Sequence, residues 1–250
     1  VEAHLQKPQS VPEIQRTPLE GVMLQVKAIQ PHGDIKAFLQ KAIDPPPLEA
    51  LDAAHRHLVI TGAVHRDGGY AATLTPLGRH LAQLPLEVRQ AKLLVLSCLF
   101  GCVEPMLHIV SLLSCRSIVA GSAQRDADKA RARAAYLWGQ SDLLSDAHIF
   151  ATWLAKRAER RPMKDVRAFC ESLGLSMQAL QDVDMTRMTL LRQLDEVGLL
   201  DRDYIAAYRR QGPMWPRASP LGMDAHSHHV NVLRALLVAS LWPSLARVDQ

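Results

Sequence analysis

The chain has 250 residues, 48% of them hydrophobic and 22% charged, and a formal net charge of +4 at pH 7. That length can bury a core without disulfide or metal staples, and that composition excludes a disordered polyelectrolyte. No apolar run reaches the roughly 18 residues of a membrane span, and the mild positive balance permits a polyanionic partner without demanding one.

Residues 1–16 are polar and irregular, with Pro8 and Pro12, and read as an incoming linker. Thr17, Pro18 and Glu20 supply the cap, first-turn proline and carboxylate of a capping box. Leu19, Val22, Met23, Val26 and Ile29 then recur on one helical face until Pro31 and Gly33. A short helix follows from Asp34, carrying Ile35, Phe38, Leu39 and Ala42. Pro45-Pro46-Pro47 stops it, and a third helix runs from about Leu48 to Ile60 with Leu51 and Leu58 inward. Ala63-Val64-His65 and Tyr70 to Leu74, joined across Asp67-Gly68-Gly69, predict a small β-hairpin. Three short helices and a hairpin are the order of a winged helix. Thr75-Pro76 repeats the capping logic of Thr17-Pro18.

Beyond this point the chain reads as helical. Leu86 to Phe100 is apolar on nearly all sides and predicts a central buried helix. Further helices are expected at Pro105 to Leu113, Arg125 to Trp138, Asp142 to Arg160 and Met163 to Ser172, with a break from Ser117 to Ser122. Ser176 caps a helix bearing Met177, Leu180, Val183, Met188, Leu191 and Leu194, which ends at Gly198. Residues 201–225 are mixed, with a short helix near Asp203 to Arg210 and a Pro/Gly-rich loop after it. His226 to Leu241 is an apolar helix. Leu245 to Val248 reads as the opening of a strand, which cannot pair alone. With a first residue that is not Met, this suggests a chain cut from something longer at both ends.

Several segments resemble one family, in order along almost the whole chain. Pro12-Glu13-Ile14-Gln15-Arg16-Thr17-Pro18-Leu19-Glu20 is similar to the entry into the C-terminal region of DEAH-box/RHA-type RNA helicases. Pro45-Pro46-Pro47 with Ala53 to Gly62-Ala63, then Leu74-Thr75-Pro76-Leu77-Gly78-Arg79 and Leu84-Pro85-Leu86, resemble that family's winged helix. Ala91-Lys92, Phe100-Gly101-Cys102, Ser141-Asp142 with Trp153, Phe169-Cys170, Leu191-Arg192-Gln193-Leu194 and Gly198 resemble its helicase-associated, or ratchet, domain. Val232 to Ala239 and Leu241-Trp242-Pro243-Ser244-Leu245-Ala246-Arg247-Val248 resemble the approach to its OB-fold. The family's His after Ser-Asp is Leu143 here, its Ser-Pro-Phe is Ser117-Ile118-Val119, and residues 201–225 match nothing in its pattern.

The resemblance implies a mainly α chain: a linker from a motor domain over 1–16, a winged helix with one small β-hairpin over 17–80, a ratchet helical bundle over 81–200, and a linker with the start of an OB-fold over 201–250. It implies the accessory C-terminal part of an ATP-dependent, 3′ to 5′ RNA helicase, forming part of the single-stranded RNA channel and packing on RecA-like motor domains. ATP and Mg would belong to those motor domains. No G-x-x-x-x-G-K-[ST] or G-x-G-x-x-G occurs here, so no cofactor and no ATPase activity are expected of this segment. A stand-alone, non-enzymatic adaptor or RNA-binding module with the same fold stays open, with an activator peptide on the winged helix as a further partner. A DNA-binding winged-helix regulator is a third reading.

The candidate RNA contacts follow from charge. Lys156, Arg157, Arg160, Arg161, Lys164 and Arg167 form the densest basic stretch, against Glu159 and Asp165, and phosphate neutralisation needs such density. Arg125, Lys129, Arg131 and Arg133 are diluted by Asp126 and Asp128. His55, Arg56 and His57 on the third helix, with His65 and Arg66 on the wing, are the groove-reading candidates. Arg192 and Gln193 could contact a single strand, or Arg192 could pair with its own helix. Ser141 and Asp142 carry either a channel role or a helix cap. Cys98, Cys102, His108 and Cys115 lack zinc-knuckle spacing and read as inert buried groups. His226, His228 and His229 read as a solvent-facing loop group. No catalytic residue and no metal site is assigned. Four cysteines without a framework spacing suit an intracellular, reducing compartment, without distinguishing nucleus, cytoplasm or mitochondrion.

Overall fold

The computed structural model describes residue 14 and residues 18–159, 162–216 and 222–243. The described residues are mainly helical and divide into two compact units, one up to Lys92 and one from Leu93.

In the first unit, α1 (Leu19–Ile29) packs on α3 (Leu48–Thr61) and α4 (Pro76–Gln83), with the short α2 (Ile35–Leu39) alongside. Met23, Leu24, Ile35, Leu51, Leu58 and Leu81 are buried between them, so the apolar stripes close one small core. α1 opens differently from the capping-box expectation. Pro18 occupies the cap position without a side-chain cap, and Thr17 lies outside the described residues. Glu20 is engaged elsewhere: its Oε1 lies 2.8 Å from His57 Nδ1. At the other end, Lys27 Nζ donates to Gly33 O at 2.7 Å and is almost wholly buried, which pushes the amine below its usual range.

Thr75 and Pro76 behave as the sequence predicts. Thr75 Oγ1 accepts from the Gly78 N–H at 3.0 Å, and Pro76 opens α4. Gly78 is required by space, because a Cβ there would stand 1.9 Å from the Ala63 carbonyl oxygen.

The expected β-hairpin is met by one pairing and no more. Among the described residues there is no sheet; Val64 and Leu74 meet in an isolated antiparallel bridge. His65 N–H donates to Thr73 O at 3.1 Å, and Thr75 N–H to Ala63 O at 3.0 Å, but the ladder goes no further. Gly69–Ala71 coils into a 3₁₀ turn instead. That turn is tied to α3: Tyr70 OH donates to Asp52, His55 Nε2 lies 2.9 Å from Gly69 O, and the His55 ring packs on Tyr70. The strand expected at Leu245 to Val248, and the linker over 1–16 apart from residue 14, lie outside the described residues.

α5 (Val88–Leu99) leads to the second unit. Its centre is α6 (Val103–Ser114), buried from Val103 through Ser111 and packed between α8 (Asp142–Ala158) and α10 (Met177–Glu196). The expectation of a central helix at Leu86 to Phe100 is corrected: α6 holds that place, although it carries Glu104 and His108, and Leu99 and Phe100 stand exposed. α7 (Ala127–Ala134) and α9 (Met163–Leu173) complete the bundle around Phe150, Trp153, Phe169, Leu180 and Val183. Local signals set the ends. Ser141 and Ser176 accept from Leu144 N and Ala179 N, Asp126 caps α7, and Arg133 Nη1 donates to Leu173 O at 2.7 Å at the end of α9. Val119 and Leu175 form a second isolated bridge. The mixed region yields α11 (Arg202–Gln211), a 3₁₀ turn at Gly222–Asp224, and then α12 (Val230–Leu241), which starts only after the histidine loop.

Candidate nucleic-acid interface

The basic stretch does not form one patch. Arg157 lies over the Trp153 ring, 4.7 Å from its centroid, and its Nη1 donates to Asp184 Oδ2 at 3.1 Å. Lys156 sits 5.2 Å over the Phe169 ring. Both cations therefore serve packing. Lys164 and Arg167 stand exposed on α9, while Arg160 and Arg161 lie outside the described residues. Ser141 is the cap of α8, and Asp142 is the exposed carboxylate of that helix's first turn. In the other cluster, Lys129 pairs with Asp126 and Arg131 with Asp128. On α3, Arg89 Nη2 donates to His57 Nε2 at 2.7 Å, so His57 Nδ1 carries the proton given to Glu20. His55 and His57 are thus spent on packing.

Arg192 has a different setting. It pairs with Glu196 one turn on, Nε to Oε1 3.7 Å, with both side chains mostly exposed. It also borders a groove of about 610 Å³ between α10 and α11, with Met188, Asp195, Tyr208, Arg209 and Pro213. Gln193 is not part of that lining; its Oε1 is buried and without a hydrogen-bond partner among the described residues.

Arg187 forms the groove's inner wall. Its side chain is 4% exposed, and its Nε and Nη2 donate to Asp184 Oδ1 at 3.1 and 2.6 Å. The guanidinium lies 5.7 Å from the Tyr208 ring centroid. One edge of the pair is unsatisfied: Arg187 Nη1 and Tyr208 OH are buried donors without a partner among the described residues. Both atoms are closed off from solvent, so they belong to the interior behind the groove rather than to its surface. Arg209, on the rim, pairs with Asp195 at 3.3 Å. Exposed pairs of this kind contribute little, and a phosphate can replace the carboxylate at small cost. Sequence reasoning found Arg192 but missed Arg187, Tyr208 and Arg209. Arg187, Arg192 and Arg209 were a signal only once α10 and α11 were known to face each other.

On the other side of Tyr208 lies a second cavity, of about 730 Å³ and opposite charge. Gly212 borders both, with φ 71° and ψ −163°, a conformation that favours glycine and that turns the chain out of α11. The floor of this cavity is a buried polar network. Glu104 Oε2 accepts from the backbone N–H of Met214 and Trp215 at 3.1 and 3.0 Å. Asp224 accepts from Glu104 N–H, Tyr204 OH and Ser227 OH at 2.8, 2.7 and 2.8 Å. Burial, and then the Asp224 charge, push the Glu104 carboxyl up to about 8. Burial drives His108 well below its ordinary range. Desolvation also pushes the thiols of half-buried Cys98 and buried Cys102 up to about 12. Among the described residues no group of histidines, cysteines and carboxylates is arranged to hold a metal, and no helix is long and apolar enough to cross a membrane.

The sequence is similar to known proteins. Residues 87–168 match the helicase associated domain (HA2), ratchet-like. A protein of Mycosarcoma maydis named as a DEAH-box ATP-dependent helicase is 40% identical over 243 residues, covering 96% of this chain and 15% of that protein. The DExH-box ATP-dependent RNA helicase DExH4 of Arabidopsis thaliana is 29% identical over 97% of this chain and 18% of its own length. The ATP-dependent DNA/RNA helicase DHX36 of Mus musculus is 30% identical over 95% and 22%. The chain thus spans about a fifth of the length of the relatives it matches, or less.

Proposed function

We propose that this chain, which carries a helicase-associated ratchet-like domain and is homologous along nearly its whole length to DEAH-box helicases, acts as the C-terminal accessory region of an ATP-dependent RNA helicase. In this reading residues 17–80 are the winged helix, with its wing reduced to the Val64–Leu74 bridge. Residues 81–200 are the ratchet bundle, and 201–250 lead toward an OB-fold. The chain packs on RecA-like motor domains and supplies one wall of a single-stranded RNA channel. ATP and Mg belong to the motor domains, and no residue here is assigned to them. The cysteines stand as free thiols, which supports an intracellular, reducing compartment.

The observation that carries the reading is the α10–α11 groove. Arg192 and Arg209, exposed along the groove in weak pairs, are the movable guanidinium groups that a sugar-phosphate backbone can take up, and buried Arg187 stiffens the wall behind them. Met188 and Pro213 offer apolar surface to a base.

The test is fluorescence anisotropy of a labelled single-stranded RNA with the whole helicase. Arg192→Ala with Arg209→Ala should weaken binding about tenfold or more at low salt, two charge-assisted contacts being lost. Unchanged RNA affinity in a folded double variant would sink the groove as an RNA wall.

A further inference from the structure

Of the eight methionines, Met163, Met185 and Met188 are exposed, at 57, 65 and 49%. Of these three, only Met188 lines the α10–α11 groove, and Arg192, four residues on, shares its helix face. The Met188 sulfur is also held in place. Its Sδ accepts from Arg187 Nη2 at 3.3 Å, while the same nitrogen donates to Asp184 Oδ1 at 2.6 Å. A thioether is a weak acceptor, and here it is fixed between a buried cation and the groove.

Three of the four cysteines are poor competitors for an oxidant. A thiol reacts as its thiolate, and desolvation holds the Cys98 and Cys102 thiols up at about 12 and the Cys170 thiol up at about 11. A thioether has no proton to lose, so exposure governs its oxidation.

We propose that Met188 is a redox modification site, at which a peroxide converts the thioether to the sulfoxide and thereby weakens RNA binding in the groove. The proposal rests on the reading of that groove as an RNA wall. In the forward step the sulfur lone pair attacks one oxygen of hydrogen peroxide and the O–O bond breaks. That oxygen stays on sulfur, its proton passes to the other oxygen, and water leaves. Sulfur gives up two electrons and the peroxide takes them. A sulfoxide reductase reverses the change: two thiols become a disulfide and the oxygen leaves as water.

The added oxygen acts in two ways. It is a strong acceptor where the sulfur was a weak one, so it competes with phosphate for the Arg192 guanidinium on the same helix face. It also makes polar the surface that Met188 offers to a base. Both effects lower affinity for RNA. Oxidation of Met185 does neither, because Met185 is not part of the groove lining.

Fluorescence anisotropy of a labelled single-stranded RNA with the whole helicase, before and after hydrogen peroxide, tests this. Trypsin isolates the site: cleavage after Arg187 and Arg192 releases Met188-Thr189-Leu190-Leu191-Arg192, which holds no other methionine. Mass spectrometry should show one oxygen gained by this peptide. RNA affinity should fall about fivefold as one base contact is lost, and methionine sulfoxide reductase with a thiol should restore both. Met185→Leu should show the same fall on treatment. Met188→Leu should show none, whatever its starting affinity. The proposal fails if the peptide stays unoxidised, if the oxidised protein binds RNA as before, or if Met188→Leu loses as much affinity as the unaltered protein. Arg192→Ala with Arg209→Ala tells that failure from failure of the groove. Weakened binding in the double variant leaves the groove standing while the redox site falls, and unchanged binding removes both.

Discussion

Glu104 Oε1 and His108 Nε2 stand 3.9 Å apart on successive turns of α6, and neither has a hydrogen-bond partner among the described residues. That distance is too long for a hydrogen bond. Burial keeps both groups neutral: the carboxyl holds its proton up to about 8, and the imidazole resists gaining one. Between its ordinary 4.5 and about 8, Glu104 is protonated in the folded chain and ionised in the unfolded one. Stability from Glu104 is therefore full at low pH and is lost as pH rises through that window. His108 acts oppositely, because below its ordinary 6.5 only the unfolded chain takes up the proton. The two effects offset below about 6.5, and the Glu104 loss stands alone above it. The expected loss from pH 6.5 to pH 8 is about 1 kcal/mol. Urea midpoints should fall over that interval and stay level in Glu104→Gln; a level midpoint in the unaltered chain would refute the assignment.

Asp184 divides its two oxygens between two arginines, Oδ1 to Arg187 and Oδ2 to Arg157. The two interactions are unequal, since Arg187 is buried and Arg157 is 44% exposed. Asp184→Ala should cost about 3 kcal/mol by leaving a buried guanidinium uncompensated. Arg157→Ala should cost under about 1 kcal/mol. Thermal denaturation of the two variants checks the order, and equal losses would show that Arg187 finds another acceptor.

Local signals were legible in the sequence where they act locally. Thr75, Ser141 and Ser176 cap the helices they precede. The helix expected at the centre, Leu86 to Phe100, is not the central one; α6 is, because the helices that cover it come from far along the chain. Of the hairpin, the Val64–Leu74 pairing was legible, whereas the contact of Tyr70 with Asp52 was not, because no strand pattern encodes it. The acidic cavity was illegible for a plainer reason. Glu104 meets Asp224 and Trp215 across separations of 120 and 111 residues. In the sequence it is one carboxylate ahead of an apolar helix, and its partners fall in the region that matched no family pattern. Arg192 and Arg209 are similarly unrelated until α10 and α11 fold together.

Gly78 is the point where the first unit admits no side chain. A methyl group there would overlap the Ala63 carbonyl, which is itself the acceptor for Thr75 N–H. Backbone cannot give way as the end of a flexible side chain can. Gly78→Ala should therefore cost about 3 kcal/mol or more, against the small gain alanine normally brings to a helix. Circular dichroism during urea unfolding measures it, and a neutral or stabilising result would mean that α4 can shift away from Ala63.

Salt dependence separates cations that meet phosphate from cations that hold the fold. Each phosphate contact removed should lower the slope of log affinity against log salt by about 0.7 for a single strand. Arg192→Ala and Arg209→Ala should each do so, because both stand on the groove in weak exposed pairs. Lys156→Ala and Arg157→Ala should leave the slope unchanged, because these cations lie over Phe169 and Trp153. Ser141→Ala should also leave it unchanged while costing about 1 kcal/mol of stability through the lost cap on Leu144 N–H. Lys164→Ala with Arg167→Ala decides whether the exposed face of α9 belongs to the same track. A lowered slope would extend the channel wall from the α10–α11 groove to α9, and an unchanged slope would confine it to the groove.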